Sequence, residues 1–284
     1  MDPVRAAIEV AEDLGLQVAQ AVPLRSTNNA VLWLKPTSIV AKVGIGRNQR
    51  LCMELQVAQE LCALGAPVVC PAPDLPAMVH SGCGLDVTFW QYHPQDAAGR
   101  TAPERVAPAL RRLHLALARI SPGLRSLLPT YLRELSYVRA LLMDRASLTA
   151  LPQADRDLLI ETFERLRVEL LALAPAGSHL VIHGAPHAYN VLLVADEPRF
   201  IDFETVCTGP PEWDMAHLDP QAERHYGPAL HTRLLWACRG MASVKTAVLC
   251  WADVNRGDLR DHAEWHLAHV RDSVAPHTVS PCVP

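Results

Sequence analysis

Residues 182–203 read IHGAPHAYNVLLVADEPRFIDF, and the reading of this stretch decides the fold. An apolar run (179–182) leads into a polar loop (183–190), and two short apolar runs then flank the turn-prone Asp196, Glu197 and Pro198. The pattern predicts a strand, a loop and a β-hairpin with arms 191–194 and 199–203. Antiparallel pairing about that turn sets Asn190 opposite Asp202, with Cα atoms within about 5 Å. An amide oxygen and a carboxylate then converge at one end of the hairpin, and hard oxygen donors of this kind suit Mg²⁺ held together with phosphates.

With those residues, the chain resembles the aminoglycoside phosphotransferase and choline kinase-like enzymes, distant relatives of protein kinases. Their catalytic loop, H-G-D-x-H-x-x-N, and the I-D-F-E that follows it are matched by His183, Gly184, His187, Asn190, Ile201, Asp202, Phe203 and Glu204. The family continues with G-P and D-L-A, matched by Gly209, Pro210, Asp214, Met215 and Ala216. Ala185 stands where the family carries its catalytic aspartate.

The resemblance implies an α+β, bilobal protein-kinase-like fold. A small antiparallel β lobe plus one helix, residues 1–93, would bind nucleotide. A larger, mainly helical lobe, 94–284, would carry the catalytic loop, the hairpin and the substrate site. The implied activity is transfer of phosphate from ATP, or GTP, to a hydroxyl of a small molecule, cationic ones such as an aminoglycoside or other antibiotic included. Asn190 and Asp202 are the implied Mg²⁺ ligands, His183 a brace for the loop, and His187 a second brace or part of the pocket wall.

A methyl at Ala185 can neither accept a proton nor orient a hydroxyl, and a missing base typically costs about 10²–10⁴ in rate. Either an Asp→Ala change disables an otherwise active kinase, or the chain is a natural pseudokinase. The other positions of the machinery, Lys42, Glu54, Asn190 and Asp202, favour the first. A zinc pair from His183 and His187 in an unrelated α+β hydrolase is a weaker reading, because the two lie on a loop without a third ligand.

A chain of 284 residues that is 50% hydrophobic can bury a large core. A formal net charge of -4 argues against nucleic acid as a partner. No apolar stretch reaches the roughly 20 residues of a membrane span, and the first residues lack a signal-peptide core. These features point to a cytoplasmic protein, monomeric or homodimeric. The eight cysteines form no C-x-x-C pair and sit in apolar periodic segments, so free buried thiols and a reducing compartment are expected.

In chain order, a helix is expected over 3–14, then strands over 18–24, 30–34 and 38–43. Between the first two strands Ser26, Asn28 and Asn29 belong to a small polar loop that either presents N–H groups to phosphates or is a plain hairpin turn. Lys42 is a lysine within an apolar strand, the kinase position for gripping phosphates, and a helix over 48–64 offers Glu54 as its partner, with Glu60 the alternative. Strands over 78–80 and 85–92 complete the sheet and lead to a hinge in which Gln91 and Tyr92 would border the adenine. Helices are expected over 103–120, 124–143, 154–173, 228–251 and 259–274. Glu212, Trp213, Asp219 and Glu223 suggest an acidic rim that would attract a cationic substrate. His114, on an apolar helix face, reads as a satisfied buried imidazole.

Overall fold

The computed structural model describes residues 2–26, 29–44, 48–94, 102–255 and 259–274. Helix α1 (Pro3–Asp13) precedes strands β1 (Gln20–Ser26), β2 (Ala30–Lys35) and β3 (Ile39–Gly44). Then come α2 (Asn48–Ala63), β4 (His80–Gly82), β5 (Leu85–Gln91), α3 (Pro103–Leu117) and α4 (Pro122–Leu127). They are followed by α5 (Leu132–Met143), α6 (Gln153–Leu173), β6 (Leu180–Ile182), β7 (Val191–Val194) and β8 (Glu197–Phe200). The last elements are β9 (Cys207–Gly209), α7 (Pro211–Met215), α8 (Glu223–Tyr226), α9 (Thr232–Ala252) and α10 (Leu259–Val274). Among the described residues no helix is long and apolar enough to cross a membrane.

The chain forms two compact units. The first comprises residues 1–128, 180–207 and 218–228. It contains an antiparallel sheet of order β1-β2-β3-β5-β4. Helix α1 starts because Asp2 accepts hydrogen bonds from the Val4 and Arg5 N–H groups and Pro3 occupies the first turn. Its buried stripe, Ala6, Ala7, Val10 and Ala11, packs with Leu32, Leu34, Val43, Val87 and Phe89 of the sheet. A side chain at Gly82 would place Cβ 2.5 Å from Val10 Cγ2, so the helix lies this close only because β4 offers a bare backbone. A second cluster, Val40, Trp90, Leu55 and Ala58, packs α2 on the sheet. In α3, His114 is buried and its Nδ1 lies 2.7 Å from the Tyr226 hydroxyl of α8, the satisfied imidazole expected from the sequence.

The second unit comprises residues 129–179, 208–217 and 229–284. Helix α9 is its axis, with Leu234, Leu235, Cys238, Met241, Val244, Val248 and Trp251 buried around its circumference. Helices α5, α6, α7 and α10 pack against it. The carbonyls at the end of α5 are satisfied by the buried Arg156, whose guanidinium donates to Leu141, Leu142 and Asp144. This unit is mainly helical, and the α+β organisation of the whole chain is the one the loop motif implied.

Three expectations need correction. The helix expected over 124–143 is two helices, α4 and α5, because Leu128 must be extended ahead of Pro129 (φ -73°, ψ 135°). The hairpin turns at Ala195 and Asp196, both in the left-handed region (φ 47° and 66°), so Glu197 and Pro198 belong to β8 and pair with Val194 and Leu193. A two-residue turn with both central residues at positive φ matches the natural twist of the arms, which a longer turn over 196–198 would not. Finally, Cys62 and Cys70 form a disulfide, their Cα atoms 5.9 Å apart, so free thiols are confined among the described residues to Cys52, Cys83, Cys207, Cys238 and Cys250. The turn after α2 brings two cysteines eight positions apart together without any short motif, and cysteine usage no longer argues for a reducing compartment.

Candidate active site

The residues singled out in the catalytic loop, the hairpin and β3 come together within the first unit. Lys42 extends from the middle of β3 and is buried. Its ammonium lies 2.9 and 2.8 Å from the two carboxylate oxygens of Glu54 on α2, 2.9 Å from Asp202 Oδ1 and 2.8 Å from Glu204 Oε1. Glu54 is therefore its helix partner, and Glu60 instead accepts from the N–H and hydroxyl of Ser121, both at 2.6 Å.

Three carboxylates around one ammonium leave excess negative charge. Burial alone would lower the pKa of Lys42, but Glu54, then Asp202 and Glu204, outweigh it and hold the lysine charged far above neutral pH. Burial pushes the Glu54 carboxyl up to about 7 against the pull of Lys42, with Asp202 and Glu204 adding to the rise. Burial would raise Asp202 as well, yet Lys42 prevails and holds it below the usual aspartate value.

The sign of the Glu54 shift makes a prediction. Unfolded, Glu54 ionises near 4.5 and folded near 7, so its contribution to stability is fully present below about pH 4.5 and is lost as pH rises through 7. The melting temperature of the wild type relative to Glu54→Gln should therefore fall between pH 5 and pH 8. A flat difference across that range would contradict the charge balance described here.

The loop is fastened from several sides. His183 is fully buried; its Nε2 donates to the Ile201 carbonyl at 3.0 Å, which leaves Nδ1 to accept the Ala185 N–H at 3.4 Å. The His183 carbonyl accepts from the Thr205 hydroxyl. Gly184 has φ +91°, and a Cβ there would stand 2.1 Å from the Thr205 carbonyl oxygen, so both conformation and space demand glycine. Asn190 donates through Nδ2 to the Ala185 carbonyl at 3.0 Å and accepts through Oδ1 from Arg25 on β1 at 3.3 Å. His187 is half-buried, with Nε2 3.4 Å from Asn190 Nδ2.

The register across the hairpin differs from expectation by one residue. The Ile201 N–H donates to the Asn190 carbonyl, so Asn190 faces Ile201. Asp202 follows in the left-handed region (φ 68°) and closes on Lys42. That conformation is costly for a non-glycine residue and marks a position held by its surroundings. The side chains of Asn190 and Asp202 are nevertheless linked through Arg25, which bonds the first and whose charge acts on the second.

Other expected residues are distributed as follows. Asn29 immediately precedes β2 and donates to Glu204 Oε1 at 2.6 Å. Asn28 and the Ser26 side chain lie outside the described residues. The N–H groups of Gln91 and Tyr92 donate to the Cys70 and Ser38 carbonyls, and the Tyr92 ring stacks on Trp33 at 4.0 Å. Glu212 and Trp213 belong to the second unit and are buried: Glu212 accepts the His231 N–H at 2.8 Å and Trp213 packs on Tyr131. They form no exposed acidic rim, because the helix start that follows needs Glu212 as an acceptor. Asp219 caps the Gln221 N–H, and Glu223 is half-buried at the start of α8. Sequence reasoning missed Glu204 and Arg25 as members of the charged cluster. Glu204 was visible only as the last letter of IDFE.

The profile of the Phosphotransferase enzyme family matches residues 28–235, which is most of the chain and includes Lys42, Glu54, Asp202 and Glu204. The chain belongs to the phosphotransferase enzyme family. Solved structures similar to this family member include a spectinomycin phosphotransferase in complex with ADP and spectinomycin, 16% identical, with a TM-score of 0.66 over 95% of both chains. A choline/ethanolamine kinase family protein from Mesorhizobium loti is 18% identical, with a TM-score of 0.66 over 95% of both chains. A choline kinase from Streptococcus pneumoniae is 16% identical, with a TM-score of 0.63 over 92% of this chain and 98% of the other. At these identities the likeness concerns the fold, and it is the bilobal kinase-like one. No curated protein matches the chain significantly.

Proposed function

We propose that this phosphotransferase-family chain is built to bind ATP, with GTP as the alternative donor, and to present its terminal phosphate to a hydroxyl of a small molecule. The observation that carries the reading is Lys42 gripped by Glu54 from the helix and by Asp202 from the hairpin, the ion-pair arrangement that kinases use to position phosphates. Lys42 would pair with the phosphates, and Glu54 would hold its ammonium in place. Asn190 and Asp202 would hold Mg²⁺, and the donor set fits: an amide oxygen and a carboxylate, both already facing cationic side chains. Bound there, the ion would neutralise charge on the phosphates. His183, through its bonds to Ile201 and Ala185, fixes the loop beneath the acceptor hydroxyl.

Ala185 leaves that hydroxyl without a carboxylate to orient it, so turnover as the chain stands would be strongly reduced. A scaffold that binds nucleotide without turnover is the second reading, and Ala185 itself favours it. The relatives in fold make amino sugars, other antibiotics and choline-like cations the first acceptors to screen. A division into a nucleotide-binding lobe, 1–93, and a catalytic and substrate-binding lobe, 94–284, belongs to this proposal, as does a cytoplasmic site of action, where ATP is supplied.

The test is thermal unfolding with ATP and MgCl₂. Ligand at 100 times its dissociation constant stabilises by about 2.7 kcal/mol, a shift of several degrees. Asp202→Asn should abolish most of that shift. Wild-type protein that melts at one temperature with and without nucleotide would refute the proposal.

A further inference from the structure

Cys62 and Cys70 are joined at a crossing of three elements. Cys62 lies on α2, the helix that carries Glu54, and continues the spacing of Leu55 and Ala58, which pack with Val40 and Trp90 of the sheet. Beyond it the helix ends where the Gly65 N–H donates to the Cys62 carbonyl and the Ala66 N–H to the Leu61 carbonyl, each at 3.0 Å. The chain then pairs on two sides in turn. The Phe200 N–H of β8 donates to the Pro67 carbonyl at 2.8 Å, and the Val69 N–H donates to the Phe200 carbonyl at 3.1 Å. The Gln91 N–H of β5 donates to the Cys70 carbonyl and the Ala72 N–H to the Phe89 carbonyl, each at 3.0 Å. The bond between the sulfurs therefore ties the Glu54 helix to β8 and to the strand that ends at Gln91.

The surroundings suit a bond that is made and broken. Both cysteines are half-buried and within reach of a reductant, whereas Cys207 and Cys238 are buried. A cavity of about 340 Å³ between residues 64–67 and Arg112 and Leu115 of α3 gives the turn room to shift. A chain that works where ATP is supplied meets glutathione and protein dithiols, and disulfides in that setting are characteristically transient.

We propose that Cys62 and Cys70 are a thiol–disulfide modification site, opened by a dithiol reductant and closed by glutathione disulfide, that controls how firmly α2 presents Glu54 to Lys42. In the opening step a thiolate of the reductant attacks one sulfur, the S–S bond breaks, and the other cysteine leaves as a thiolate that takes up a proton. The second thiol of the reductant then resolves the mixed disulfide. Two electrons have passed to the protein, which ends with two thiols, and the dithiol ends as a disulfide. Closing runs the other way, with glutathione disulfide reduced to two glutathione thiols. The oxidised protein is the form in which Lys42 and Glu54 are paired. Once reduced, the end of α2 is held to the crossing by hydrogen bonds and packing without a covalent tie, and its grip on Lys42 loosens. The consequence for nucleotide rests on the function proposed above, but the response of α2 does not, and the two are measured apart.

The experiment equilibrates the full-length protein with glutathione disulfide or with dithiothreitol. Alkylation followed by mass spectrometry should label Cys62 and Cys70 only after the reducing treatment. Amide hydrogen exchange over α2 and residues 66–72 should quicken on reduction. The dissociation constant for ATP with MgCl₂, measured well below either melting temperature, should rise about fivefold or more, within the usual range of coupling between sites. Both changes should reverse on reoxidation, and Cys62→Ser combined with Cys70→Ser should keep the reduced values in either buffer. Cysteines that alkylate after treatment with glutathione disulfide overturn the proposal. So does α2 exchange that reduction leaves unmoved, or ATP binding of equal strength in the two forms. A protein that binds ATP in neither form, while α2 exchange still follows the redox state, refutes only the nucleotide reading above.

Discussion

Ala185→Asp should raise ATP-dependent phosphorylation of a bound acceptor by about 10²–10⁴-fold, the usual worth of a positioned base. The expectation rests on how the backbone of Ala185 is held. Its N–H is directed to His183 Nδ1 and its carbonyl receives Asn190 Nδ2, so a new side chain would grow from a fixed point beside Asn190, the asparagine proposed above to hold the metal. The residue is buried, with 7% exposure, and a carboxylate there would be shielded from bulk water. Product formation under single-turnover conditions, with an acceptor first shown to bind, is the measurement. An unchanged rate with that acceptor would assign the chain to binding without turnover.

Lys42→Met should be the most destabilising single change in the first unit. It leaves the buried Glu54 and Glu204 carboxylates and Asp202 without their shared cation. Removing one partner of a buried ion pair costs about 3–5 kcal/mol. The loss should be larger at pH 8 than at pH 5, because without Lys42 the protonated form of Glu54 becomes the stable one. Adding Glu204→Gln to Lys42→Met should restore part of the stability by removing one uncompensated charge. Urea unfolding of the single and double variants at both pH values decides it, and a single variant within 1 kcal/mol of wild type would show that the cluster is not the structural anchor described.

Much of this was legible because it is local. Short apolar runs bounded by turn-prone residues placed the five strands to within two or three positions. The match of the loop and the I-D-F-E segment to the family's motifs singled out His183, Asn190 and Asp202, whereas the hairpin spacing alone set Asn190 against Asp202, one residue away from its partner Ile201. Lys42 is a charge inside an apolar strand, a pattern that alone also fits a solvated edge residue; the loop motif downstream gave it the phosphate reading, and Glu54 was the acid nearer the start of the next helix.

What was not legible depended on residues distant in sequence or on a single dihedral angle. Pro129 divided a continuous apolar periodicity because it constrains the residue before it, a steric effect that hydrophobic patterning does not register. The hairpin register hung on Ala195 and Asp196 adopting positive φ, although neither is glycine or asparagine. Glu212 and Trp213 looked like an acidic, aromatic rim, but their burial depends on packing in the second unit that their neighbours in sequence do not reveal. The Cys62–Cys70 bond depends on how the chain turns after α2.

The sequence by itself determined the order of the elements, the loop chemistry and the absence of a carboxylate at position 185, because these reside in residue identity and short-range spacing. Only the tertiary structure decided that Glu54, Asp202 and Glu204 share one ammonium and that Asn29 donates to Glu204 beside it. Charge balance and hydrogen-bond satisfaction are properties of a site closed by β2, β3, α2 and the hairpin, and no one of these segments carries them alone.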